Sequence, residues 1–315
     1  MKKLNGLLGV ATIAISSWAI MDWRIELPPL TADAWADMKL KTLSLDQKIA
    51  QSFMIAAYPS KGDAHMNQVI EVIKKNEIGG VIWFPSNKTN YEKYRYKVQE
   101  NSTIPLLYAL DAEWGLNMRM DGENRYPYHY TLGAADDLQL TKKVGEYIAE
   151  DVANAGFHFN FGPVADVNSN PDNPVIGFRS FGDRTEDVAK HVKVMVEGIQ
   201  SVGIYATAKH FPGHGDTHVD SHHDLPTINR TVEQFRKVDW VPFKAAINVG
   251  VKSIMVGHIN VPSLDPSGTP SSLSSIVIQK YLREELNFKG LVISDALNMD
   301  AVSKKYAKHE VAIKA

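Results

Sequence analysis

The sequence predicts an α/β fold, a TIM-type (β/α)8 barrel, on three observations. Short β-rich runs alternate with amphipathic stretches of helical length, which indicates βα units and a parallel sheet. Nearly all of the runs are continuously apolar, as expected when helices cover the sheet. Several runs end on a titratable residue (Asp111, Asp166, His210, His258 and Asp295), where the βα loops of a barrel converge on one face. A doubly wound open sheet would also alternate, but it usually carries a Gly-rich phosphate turn after its first strand. Neither GxGxxG nor GxxxxGK[ST] occurs.

The runs read as strands are, in order, Ser52–Ala56, Gly79–Phe84, Leu106–Leu110, Phe157–Phe161, Ala206–His210, Ser253–His258 and Leu291–Ser294. The intervening stretches His65–Asn76, Leu140–Ala155, Glu186–Val202, Val232–Val249 and Ser274–Leu286 show apolar residues at helical spacing. Asp300–Ala315, after the seventh run, reads as another helix. The barrel therefore apparently lacks its last βα unit in this sequence, and that unit is expected in a longer chain.

Two segments precede the barrel domain, which is placed at 43–315. Lys2 and Lys3 lead an apolar run from Leu4 to Ile20, and Ser17-Trp18-Ala19 puts small residues at the −3 and −1 positions of a cleavage site. Residues 1–20 read as a secretory signal peptide and 21–42 as an N-terminal extension. An uncleaved membrane anchor is the competing reading, but the run is marginal in length for spanning a bilayer. After cleavage no stable membrane insertion is expected, and the location follows as exported, periplasmic or extracellular in a bacterium. Cysteine is absent, which excludes disulfides, thiolate metal sites and a catalytic thiol. A formal net charge of −2, with basic residues interspersed among acids, gives no electrostatic case for nucleic acid.

The densest chemistry lies in KHFPGHGDTHVDSHHDLP, Lys209 to Pro226, with five histidines and three aspartates. His210, His214, His218 and His222 are spaced by four, which would align them on a helix. Pro212, Gly213 and Gly215 break any such helix, and no HExxH occurs, so no metal is assigned. Asp220-Ser221-His222 instead sets a carboxylate two residues before an imidazole. Such a pair fixes the tautomer, raises the proton affinity and suits the ring to general acid/base work, although a surface turn reads equally well from spacing alone. LVISDAL, Leu291 to Leu297, ends a buried run on Asp295, placed to act as nucleophile or base or to cap the next helix.

These pieces together resemble glycoside hydrolase family 3, specifically its β-N-acetylhexosaminidase branch. KHFPGHGDTHVDSHHDLP looks like the KHFPGHG-x(4)-DSH signature of that branch with nothing missing, and ISDAL matches the nucleophile segment. DAEWGLNMR (Asp111 to Arg119) resembles the family's D-x-E-x-G-x(3)-R sugar motif. NFGPVADVN (Asn160 to Asn168) is similar to its N-x-x-P-x-x-D-V segment, and VIGFRSFG (Val175 to Gly182) to its Arg-bearing loop. The resemblance implies Asp295 as nucleophile, His222 as general acid/base and Asp220 as its partner. It also implies that Asp111, Arg119, Arg179, Lys209 and His210 hold sugar hydroxyls, with the cations helping to keep Asp295 ionised. The activity implied is that of a retaining exo-β-N-acetylglucosaminidase acting on cell-wall or chitin-derived glycans, with no cofactor. Carbohydrate is then the only partner expected, apart from a further C-terminal domain of the same chain. A β-glucosidase, a GlcNAc phosphorylase and a non-catalytic glycan- or metal-binding module are the alternatives. Trp114 stands where the commoner sugar motif has Gly, so one pocket wall is expected to be bulkier or to offer an aromatic platform.

Overall fold

The computed structural model describes residues 31–218 and 224–315; residues 31–43 belong to one unit and those from 44 onward to a second. Residues 1–20, read as a signal peptide, and the Asp220 and His222 pair lie outside the described residues. In the first unit, helix α1 (Ala32–Thr42) is capped by Thr31, whose hydroxyl accepts from the Ala34 N–H at 3.2 Å.

The second unit opens with α2 (Leu45–Ala50), held by a reciprocal capping box between Ser44 and Gln47. Strands and helices then alternate. The strands are β1 (Met54–Ala57), β2 (Gly80–Trp83), β3 (Ser86–Asn87), β4 (Leu107–Leu110), β5 (Met120–Asp121), β6 (Phe159–Asn160), β7 (Tyr205–Phe211), β8 (Ser253–Val256) and β9 (Leu291–Ser294). The short β3 and β5 pair with each other, and the other seven form one sheet in the order β1-β2-β4-β6-β7-β8-β9. Every neighbour in that sheet is parallel. Sequential parallel pairing requires crossover connections, and the helices supply them.

The sheet curls. Ala109, Phe159, Phe161 and Met255 form a small cluster inside it, and Met54 of β1, Ile82 of β2 and Ile293 of β9 pack against the same cluster. Side chains from both edge strands thus meet one interior, as in the barrel read from the sequence. A larger core lies between the outer face of the sheet and the helices, anchored by Trp83, Phe211, Trp240 and Phe243. Helices α6 (Leu138–Asn154) and α7 (Thr185–Ser201) each bury one apolar face, Val144, Ile148 and Val152 on the first and Val188, Val192, Met195 and Ile199 on the second. They approach closely because a Cβ on Gly198 would sit 2.3 Å from the Lys142 carbonyl oxygen.

Several helical stretches differ from the sequence reading. Val232–Val249 is two helices, α8 (Val232–Lys237) and α9 (Trp240–Asn248). Pro242 would clash with the carbonyl of residue 238 in a continuous helix but is tolerated in the first turn of a new one. Asp300–Ala315 is likewise split into α10 (Asp300–Ser303) and α11 (Lys308–Lys314), because the Glu310 carboxylate turns back to accept from the Ala307 N–H at 2.9 Å. Ser274–Leu286 is wound as a π-helix over Ile276–Glu285. The polar stretch 88–99 forms α4 (Lys88–Gln99), which buries Tyr91, Tyr94 and Val98. The remaining helices are α3 (Gly62–Asn76) and α5 (His129–Ala135).

Candidate active site

The parallel sheet sends the C-terminal ends of its strands to one rim, and the residues singled out from the sequence gather there. Asp111 follows β4, Lys209 and His210 lie at the end of β7, and Asp295 follows β9. In a regular strand Lys209 and His210 would point to opposite faces. The pairing of β7 with β8 shifts register between Lys209 and Phe211, and both adjacent side chains engage carboxylates at the rim.

The centre of the site is a buried net of two carboxylates and three cations. Asp111 accepts from Arg119 Nη2 at 2.6 Å and from Lys209 Nζ at 2.7 Å. Lys209 also reaches Glu113 Oε1 at 2.8 Å. Arg179 closes the net with a two-pronged contact to Glu113, Nε to Oε2 at 2.9 Å and Nη2 to Oε1 at 2.7 Å. Glu113 was not singled out from the sequence beyond its place in the DAEWG motif, yet it joins the loops after β4 and β6 to the end of β7. Burial would raise the Asp111 carboxyl, but Lys209 and Arg119 outweigh it and hold it at about 2. Burial acts likewise on Glu113, and Arg179 and Lys209 hold it well below the usual carboxylate range.

Local chain geometry positions these groups. Arg119 follows a 3-10 turn, Leu116–Met118, and its carbonyl accepts from the Ser86 N–H at 3.0 Å, where β3 and β5 pair. Gly115 precedes that turn at φ +98°, with no room for a Cβ, which would meet the Asn124 carbonyl oxygen at 2.7 Å. Arg179 ends the 3-10 turn Gly177–Arg179. Just before that turn, Asn173 Oδ1 accepts from the Val175 and Ile176 N–H groups, both at 2.9 Å.

His210 turns to Asp166, Nδ1 to Oδ2 at 2.8 Å. Asp166 is fully buried and also accepts from the backbone N–H of His214 at 2.7 Å, so it fixes the foot of the loop that leads to Asp220 and His222. Asn170 Nδ2 donates to the Thr217 carbonyl at 2.8 Å and Asn173 Nδ2 to the His214 carbonyl at 2.9 Å. Gly215 packs so tightly on the Val167 carbonyl that a Cβ would lie 1.7 Å from its oxygen. Arg230 pins Asp216 from the far side at 3.0 Å. The returning strand of the loop is tied at Pro226, whose carbonyl accepts from Asn260 N–H at 2.8 Å.

Asp295 is half-buried, its Oδ1 accepting from the Ala296 N–H at 2.8 Å. Burial raises its carboxyl, but the His210 and His258 imidazoles outweigh that, with the Ala296 N–H and Lys209 adding, so it lies below the ordinary value. The sequence assigned this effect to Arg119, Arg179 and Lys209, but the two imidazoles contribute more than the lysine. His258, fully buried after β8, has Nε2 at 3.0 Å from the Ala296 carbonyl and Nδ1 at 2.5 Å from Ser272 Oγ. The strand-end position marked both Asp166 and His258 in the sequence, and the structure gives each a partner there. Among the described residues no group of three or more His, Asp or Glu side chains is arranged to hold a metal ion. No helix among them is long and apolar enough to cross a membrane.

Carboxylates held ionised beside fixed guanidinium and ammonium donors suit a neutral polyol, whose hydroxyls both donate and accept. The family model described as "Glycosyl hydrolase family 3 N terminal domain" matches residues 44–315. A protein of Pseudoalteromonas piscicida named beta-hexosaminidase A is 33% identical over 261 residues, 75% of this chain and 44% of its own. A solved β-N-acetylglucosaminidase of family 3 from Paenibacillus sp. str. FPU-7 superposes with a TM-score of 0.81 at 37% identity, covering 87% of this chain and 53% of that one. A solved β-glucoside phosphorylase superposes with a TM-score of 0.83 at 25% identity, covering 90% and 53%. The chain thus spans about half the length of these proteins. On this match and this site, the chain belongs to glycosyl hydrolase family 3.

Proposed function

We propose that this chain carries the catalytic barrel of a retaining exo-β-N-acetylglucosaminidase that releases N-acetylglucosamine from cell-wall or chitin-derived glycans. The observation that carries the reading is the position of Asp295, held ionised on the same rim as the buried net of Asp111, Glu113, Arg119, Arg179 and Lys209. The names of the relatives support the glycosidase class and the β-linked N-acetylhexosamine. The N-terminal apolar run supports export.

In the proposed cycle the net and His210 bind the hydroxyls of the terminal sugar and align its anomeric carbon with Asp295. The Asp295 carboxylate attacks that carbon while His222, oriented by Asp220, gives its proton to the departing glycosidic oxygen. Water then attacks the glycosyl-enzyme with His222 taking a proton, which returns Asp295 and leaves the anomeric configuration unchanged. A neutral imidazole, unlike a carboxylate, does not repel an anion, so phosphate competes with water in the second step. The likeness to a β-glucoside phosphorylase favours including that second reading.

The test uses the full-length protein on para-nitrophenyl β-glycosides of GlcNAc, Glc and GalNAc, with and without phosphate. GlcNAc is expected to be cleaved best, with retention visible by NMR, and Asp295→Ala is expected to abolish turnover. His222→Ala is expected to keep more activity on the activated aryl glycoside than on a natural disaccharide, since a good leaving group needs little protonation. Equal losses on both substrates remove His222 as the acid. Full activity of Asp295→Ala removes the mechanism.

A further inference from the structure

Glu113 and Arg179 are each next to an aromatic residue, Trp114 and Phe178, and the salt bridge between the two loops brings these rings together. Their centroids lie 6.3 Å apart, and Tyr128 completes the group at 4.9 Å from Trp114 and 4.4 Å from Phe178. Phe178 leaves 52% of its surface exposed, while Glu113 beside Trp114 is only 3% exposed. The three rings therefore form a shelf at the outer margin of a site whose polar floor is buried. Arg125 lies over the Tyr128 ring at 4.9 Å and adds a donor at the edge of the shelf. A phenylalanine ring fixed in contact with two others, yet more than half in water, loses much of the free energy that burial would give it. A saturated sugar ring offers the matching surface, an apolar face of axial C–H groups with hydroxyls around its edge.

Resting on the function proposed above, we propose that Trp114, Tyr128 and Phe178 form the subsite for the leaving-group sugar, a β-linked pyranose stacked on Phe178. The depth of the two regions sets the assignment. The terminal sugar needs the charged floor for its hydroxyls, so the ring that projects outward past the scissile bond meets the exposed shelf.

The test compares the unchanged full-length enzyme with Phe178→Ala and Phe178→Leu. Leucine keeps apolar bulk at an exposed position, so an effect common to both variants does not come from misfolding. Two quantities are read, kcat/KM for N,N′-diacetylchitobiose and the inhibition constant of free N-acetylglucosamine, which occupies the terminal-sugar site alone. Loss of one aromatic stacking contact is expected to lower kcat/KM for the disaccharide about tenfold. The inhibition constant of the monosaccharide is expected to stay within about twofold. Equal weakening of both quantities, or an unchanged kcat/KM, overturns the subsite. An unchanged enzyme that cleaves no β-N-acetylglucosaminide overturns the parent function and this subsite together, whereas cleavage with unselective losses overturns the subsite alone.

Discussion

Glu113→Gln removes one negative charge from the floor of the site while keeping the volume of the side chain. The wild-type carboxylate receives three contacts, Arg179 Nη2 and Lys209 Nζ on Oε1 and Arg179 Nε on Oε2. Glutamine keeps one oxygen, so its amide N–H₂ confronts a guanidinium donor, and the two cations lose their shared counter-charge. With side-chain exposures of 1% for Glu113, 3% for Lys209 and 17% for Arg179, solvent does little to compensate. Breaking a buried pair in this way costs about 3–5 kcal/mol. In a domain of this size that lowers Tm by on the order of 10 °C. Because the folded Glu113 carboxyl lies well below its ordinary 4.5, its contribution is complete above that value and is lost as pH falls toward the folded one. The gap between wild type and variant therefore narrows in acid, between pH 7 and pH 3.5. Urea titrations of both full-length proteins at these two pH values measure it. Coincident midpoints at pH 7, or a gap that does not shrink in acid, would refute a stabilising Glu113 carboxylate.

Three further substitutions probe the supports of the proposed catalytic groups. Gly215→Ala places a methyl group against the Val167 carbonyl and displaces the loop foot; kcat on the aryl glycoside is expected to fall about 100-fold with the near-UV circular dichroism retained. Wild-type activity there would show that the foot does not set the position of His222. His258→Phe removes the contact to the Ala296 carbonyl beside Asp295, and kcat is expected to fall about tenfold with KM unchanged. Ser272→Ala, which touches only the other ring nitrogen, is expected to have the smaller effect, and the reverse order would count against His258 as a positioning residue.

The strands were legible because a covered parallel strand is apolar along its whole length, as GVIW of β2 is. The rim residues were legible because a titratable side chain at the end of such a run has few structural reasons to be there. What stayed hidden depended on distant partners or on polar packing. Helix α4 buries tyrosines whose hydroxyls make them read as surface, although Tyr91 spends its hydroxyl on the Phe84 carbonyl at 2.7 Å. Glu113 meets Arg179 across 66 residues of chain, and no local pattern encodes that pairing. The hold of Asp166, Asn170 and Asn173 on the loop foot is equally non-local, since each reaches more than 40 residues forward.

The loop that bears His222 is fastened at both feet, by Asp166, Asn170 and Asn173 near His214 and Thr217, and by Asn260 at Pro226. The chain between Thr217 and Pro226 is thus anchored at either end. On the function proposed above, residues inserted or deleted between Thr217 and Pro226 change the reach of His222 while both feet stay in place. On that proposal, the length of this span would be a dial by which one barrel accommodates acceptors of different girth.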